Sequence, residues 1–301
     1  MRCSAFDSLS AEGLRLGGAN VTGTRQHCRS GGLSSARARG GTLPRLALLA
    51  GVSLIALAPT AAHAVDGAWT GPGAEWTDGT NWSSTPDVPD NAATFTNNGA
   101  PTSATISDDA SINTIQFAAG APAFNFVTSG TGITFDINGA GIVNNSAFAP
   151  SFTNNDNLNF NNTSSAGNAV ITNNNGGVLS FNNNSTAANA IIITNGGALT
   201  QFNDNSTGGN AQFITNAGGT VDFSNTSGPN GDGNISAGSI AGAGNYYLGS
   251  NLLTVGGNNL STTVSGVISD CGDSGSDCSN AGATGGGLIK KIGRASCRER
   301  V

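Results

Sequence analysis

The chain has 301 residues, of which 37% are apolar and only 10% charged, which leaves enough apolar material for a core in one or two domains. All twelve basic residues lie near its ends. Between Leu46 and Ile289 fifteen aspartates and glutamates stand without one lysine or arginine, a formal charge of −15 that excludes phosphate backbones and anionic membrane surfaces as partners.

Residues 1–64 read as an export signal with an extended start. Arg37, Arg39 and Arg45 precede the apolar run LALLAGVSLIALA, Leu46 to Ala58, and the small residues Ala62 and Ala64 follow. That order of basic, apolar and small residues suits cleavage after Ala64. The run is too short to span a bilayer, which takes about 20 residues. A start codon placed too early would also account for the 36 residues ahead of Arg37.

Residues 65–142 open with GAWTGPGAEWTDGTNWSSTPDVPDNAATF, which holds all three tryptophans, Trp69, Trp76 and Trp82. Tryptophans can stack on sugar rings. They can also close the first open coil of a stacked-repeat fold, and burial of large aromatic area favours this capping role.

From 143 to 291 the chain repeats, most clearly between 158 and 223. Phe160, Phe181, Phe202 and Phe223 recur with a 21-residue period. Ile171, Ile192 and Phe213 keep the same interval, as do Asn168, Asn189 and Asn210, each followed by alanine, and Gly176, Gly197 and Gly218. Leu158 and Leu179 lie two residues before their phenylalanine, whereas Leu199 lies three before Phe202, which predicts a one-residue bulge there. The segment SFTNNDNLNF, Ser151 to Phe160, matches ITNNNGGVLSF with the glycine pair deleted.

Each unit holds two short alternating runs, such as Leu179-Ser180-Phe181 and Ala190-Ile191-Ile192, separated by the turn-forming clusters NNNST and TNGG. A 21-residue unit of this kind cannot bury its own apolar side chains. Identical units must therefore stack, with parallel strands roughly 4.8 Å apart and like residue above like. In this all-β solenoid the phenylalanine and isoleucine columns face inward, and the asparagines hold the corners as hydrogen-bonded ladders. Stacked charges would repel their own copies, so the scarcity of charge is a requirement of the architecture. A disordered or amyloid-forming Asn-rich segment is the competing reading, since 24 of the 91 residues from Asn144 to Asn234 are asparagine. Compositional bias alone does not hold phenylalanines in register four times.

Cys271 and Cys278 remain once the signal and the extreme C-terminus are set aside. Their spacing suits a small disulfide loop in an oxidising compartment, and two thiols without histidine make a poor zinc site. The last ten residues, 292–301 (IGRASCRERV), bring three arginines into a chain that has no basic residue from Leu46 to Ile289. They read as the in-frame translation of a short-read sequencing adapter, in which case the natural protein would continue past Lys291.

Catalysis is not expected. Both histidines, His27 and His63, precede the cleavage point, so a serine nucleophile has no base beside it. Asp108-Asp109 and the Asp270, Asp273, Asp277 group could pair as acid and base or hold a weak structural Ca²⁺, yet aspartates among Gly, Ser and Asn are ordinarily solvated turn residues. No cofactor or catalytic metal is implied. Asn230 to Asn234, NGDGN, lacks the ligands of an EF-hand loop.

Three features carry a family resemblance: the opening W…W…NW…P…F module, YLGSNLLTVGGNN followed by VSGVIS, and GGGLIKK near Lys291. In these the chain resembles autotransporter passenger regions of Gram-negative bacteria that bear the autotransporter-associated β-strand repeat. The resemblance implies a right-handed parallel β-helix, exported by the signal and displayed on the cell surface or released with the help of its own C-terminal β-barrel. The barrel is missing from this sequence. The implied role is structural or adhesive, toward host or neighbouring-cell glycans or proteins. A secreted carbohydrate-binding or carbohydrate-active β-helix and an Asn-rich functional amyloid are the alternatives.

Overall fold

The computed structural model describes residues 64–270 and 285–291. Within them the chain is a parallel β-solenoid, with a single three-residue 3₁₀ turn, Gly79–Asn81, and no α-helix. The strands form one ten-stranded sheet, one seven-stranded sheet and one three-stranded sheet. Every pairing between strands in these sheets is parallel.

One coil shows how the sequence builds the turn of the helix. Val178–Phe181 lies in the ten-stranded sheet and Ile191–Thr194 in the seven-stranded sheet. Between them Thr186 makes isolated parallel bridges to Ser165 below and Thr207 above, a narrow third side. The corners are made by residues that tolerate left-handed backbone. Asn162, Asn183 and Asp204 share φ of 56°, 55° and 58°, and Gly176, Gly197 and Gly218 share 84°, 79° and 80°. Coil after coil therefore turns at the same places.

The register is the 21-residue interval read from the sequence. Phe160 pairs with Phe181 and Phe181 with Phe202 in the ten-stranded sheet. Their rings stack at 5.0 Å and 4.7 Å, and Phe223 continues the file 4.6 Å from Phe202. Across the core Phe152, Ile171, Ile192, Phe213 and Ile240 succeed one another in register. All four phenylalanines of the first file, with Ile171, Ile192 and Phe213, are fully shielded from solvent. Burying each such side chain contributes about 2–3 kcal/mol, and every one of them needs a neighbouring coil to be buried at all.

The missing glycine pair is accounted for in the pairing. The interval from Phe152 to its partner Ile171 is shorter by two positions than that from Leu158 to Leu179, so the deletion is taken up at the turn between the two strands. The expected bulge at Leu199 is absent: Leu199 pairs with Val178 and Thr200 with Leu179 without a shift. Thr200 takes the core position and Leu199 points outward, because Thr200 Oγ1 finds Thr194 Oγ1 at 2.8 Å inside the core. A register shift does occur one coil later, between Gln201↔Asp222 and Asn203↔Asn225.

The asparagine ladders lie at the corners. Asn174 donates to Asn155 at 2.9 Å, Asn195 to Asn174 at 2.8 Å and Asn216 to Asn195 at 2.6 Å. A second ladder runs Asn203 to Asn182 to Asn161 to Asn138 at 2.8, 2.8 and 2.9 Å. Two asparagines depart from the corner rule. Asn154 and Asn173 are wholly buried, joined to each other at 2.8 Å and to Thr128 and Thr200 at either end, so a polar file runs inside the apolar core. Buried amides are tolerated there because each finds partners on the adjacent coils.

Side-chain volumes are balanced between columns. Where Phe213 replaces the isoleucine of earlier coils, Gly208 replaces the alanines 166 and 187 that stand in the same position on the third side. A Cβ on Gly208 would lie 2.5 Å from the Ser236 carbonyl oxygen and 3.0 Å from the Phe213 ring. Past Ser227 the coils lengthen, so that Val221 pairs with Tyr246 and Phe213 with Ile240, each partner several positions later than the repeat alone would place it. The added residues supply Asn234–Ser236, which starts the three-stranded sheet and widens the third side.

Candidate functional site

The three tryptophans form one cluster. Trp69, Trp76 and Trp82 are at most 1% exposed. Trp82 packs edge-on between the other two at 5.0 Å and 4.9 Å, and Phe95 lies below all three. Trp69 Nε1 donates to the Pro101 carbonyl and Trp82 Nε1 to the Trp76 carbonyl. Asn81, also buried, ties the connecting loop through Gly73 N and the Glu75 carbonyl. The cluster shields Phe95 and the first coils, as a cap does. None of its rings offers a face on which a sugar could stack.

Among the described residues the acidic positions are dispersed along the solenoid. Asp108 and Asp109 stand exposed just before the strand Ala110–Phe117. Asp109 and Asp136 line an open groove of about 330 Å³ with Ala110, Ser111 and Thr134. Both carboxylates are engaged by the fold: Asp109 Oδ1 accepts from Thr134 N at 2.8 Å, and Asp136 Oδ1 accepts from Asn159 and Asn161 at 2.9 and 3.2 Å. The groove is open to water.

Asp78 and Asp232 serve turns. Hydrogen bonds from Thr80 hold the Asp78 carboxyl below its usual range, and those from Asn234 do the same for Asp232 in the NGDGN loop. Asp270 Oδ2 accepts from Gly285 N at 3.2 Å. Asp273, Asp277, Cys271 and Cys278 lie outside the described residues, as do His27, His63 and residues 292–301. Among the described residues no three His, Cys, Asp or Glu side chains come together as a metal site, and no helix is long and apolar enough to cross a membrane.

Comparison with protein-family models, curated proteins and solved structures finds no match for this chain.

The feature that sequence reasoning missed is the outer face of the seven-stranded sheet. On five consecutive strands, from Asn125–Thr128 to Gln212–Thr215, the inward residues are core and the outward ones carry no charge. One outward column reads Val127, Thr153, Thr172, Ile193, Ile214. The signal lies in the sequence as the residue following each core Phe or Ile, beside the more conspicuous buried column.

Proposed function

We propose that this chain is the N-terminal part of an autotransporter-type passenger: an exported β-solenoid displayed at the cell surface or released from it, with a structural and adhesive role and no catalytic step of its own. The observation that carries this reading is the stack of near-identical coils, free of basic residues, beneath a Trp-built cap. Such a stack grows by adding coils, needs no ligand, and presents long repetitive faces, as a surface-displayed spacer or adhesin requires. The absence of basic residues along the repeat keeps it from adhering to anionic lipid or nucleic acid. Its partners in this reading are glycans or proteins of a host or neighbouring cell, and its own barrel would anchor it.

The test is antibody labelling of intact source cells against permeabilised ones, combined with analysis of the medium. Labelling of intact cells, or full recovery in the medium, supports the reading. Signal that appears only after permeabilisation contradicts it.

A further inference from the structure

We infer that the outer face of the seven-stranded sheet is an ice-binding surface. This goes beyond the passenger reading and does not depend on where the chain is displayed. Because Thr153, Thr172, Ile193 and Ile214 pair strand to strand without a shift, their side chains project from one plane at the inter-strand distance of roughly 4.8 Å. A second outward column, two residues earlier on each strand, runs beside it at roughly 6.7 Å. That column is Asn125, Ser151, Val170, Ile191 and Gln212, so the result is a two-dimensional mesh of methyl and hydroxyl groups with an amide at each end of its second column.

Three properties make the mesh rigid. Its main column is β-branched throughout, so χ1 has little freedom. Both margins are fixed by amide ladders, Asn155–Asn174–Asn195–Asn216 on one side and Asn189–Asn210 on the other. The backbone beneath is anchored by inward Phe152, Ile171, Ile192 and Phe213, each at most 2% exposed.

The chemistry of the face selects its occupant. It has no charge with which to hold an ionic ligand, and no aromatic ring among its outward residues to stack on a sugar. The seven strands of the sheet cover roughly 29 Å along the stack, and two columns are narrower still. That is well short of the ~800 Å² per partner that a stable protein interface buries. A partner suited to a small, neutral, rigid mesh is one that repeats at the same distances, and an ice surface does. Methyl groups would order water into cages over the sheet, and threonine hydroxyls would join those cages to the lattice.

The experiment measures thermal hysteresis and inhibition of ice recrystallisation by the purified chain. Two charge-matched variants accompany it, Thr172→Lys with Ile193→Lys on the face and Asn184→Lys with Asn205→Lys at an exposed corner away from it. Circular dichroism checks that each is folded. Thr153→Tyr, which breaks flatness without adding charge, replaces the face variant should the lysines unfold it. The inference predicts faceted ice growth and hysteresis for the chain and the corner variant, and loss of both for the face variant. A chain that leaves ice growth unchanged overturns it. So does a face variant that keeps full activity, or a corner variant that loses activity equally. Failure of surface labelling on cells would leave this result untouched, so the two readings fail separately.

Discussion

Phe181 and Phe202 lie face to face, ring centroids 4.7 Å apart and planes 6° from parallel, although a whole repeat unit separates them in the chain. Neither ring could be buried by its own coil. Each is covered above and below by a copy of itself, Phe160 on one side and Phe223 on the other. The cooperativity of the solenoid rests on this mutual covering. Replacing Phe181 by alanine removes the ring at the middle of the file and leaves a cavity between two coils. Denaturant unfolding should show a loss of about 3–5 kcal/mol, and Phe181→Leu should cost less than half of that.

The serine column behaves in the opposite way. Ser164, Ser185 and Ser206 are fully buried, and their hydroxyls have no hydrogen-bond partner among the described residues. An unpaired buried hydroxyl costs about 1–3 kcal/mol relative to a paired one. Ser185→Ala keeps the volume of the site and removes the unmet donor, so the midpoint of thermal unfolding should stay or rise. A fall of several degrees would show that the hydroxyl is bonded in solution.

The corner ladders depend on an amide's ability to donate and accept at once. Asn195 donates to Asn174 and accepts from Asn216. Asn195→Asp keeps the acceptor, loses the donor and sets a carboxylate against the Asn174 oxygen. A loss of about 1 kcal/mol is expected at neutral pH. It should be recovered below about pH 4, where the protonated carboxyl can donate again. Urea titrations of both proteins at the two pH values check this.

Tyr246 gives the fold a sensitivity to alkali. The side chain is fully buried, its hydroxyl donates to the Ala241 carbonyl at 2.7 Å, and burial pushes the phenol above its ordinary value. The folded state therefore holds this proton after an unfolded chain has lost it. Stability from this group is complete below about pH 10 and is lost as pH rises toward the folded value, because the unfolded state then binds fewer protons. Unfolding midpoints should fall above that pH, and Tyr246→Phe should be weaker at neutral pH but should lack this contribution to the alkaline fall.

How much of this could be read beforehand depended on whether a residue's neighbour in space was also its copy in sequence. The Phe160 to Phe223 file and the corner ladders could be read because identical side chains recur at a fixed interval. Thr200 could not. A leucine one position away offered a better apolar match, and only the hydroxyl of Thr194 explains why the threonine turns inward. Asn154 and Asn173 were hidden for a related reason: within Asn173-Asn174-Asn175 nothing in the residue type tells which amide points into the core. The pairing of Gly208 with Phe213 was equally hidden, since it joins different columns. The outer face of the seven-stranded sheet has no single residue recurring along its length, only β-branching in one column and a shared absence of charge.

The stacking of equivalent positions underlies every feature of this fold, and electron paramagnetic resonance measures it directly. Nitroxide labels on cysteines at Asn159, Ser180 and Gln201, in a background with the native cysteines changed to serine, would lie on three successive strands in register. The account predicts a single exchange-narrowed line from labels about 5 Å apart. Three separate hyperfine lines, as from isolated nitroxides, would contradict it.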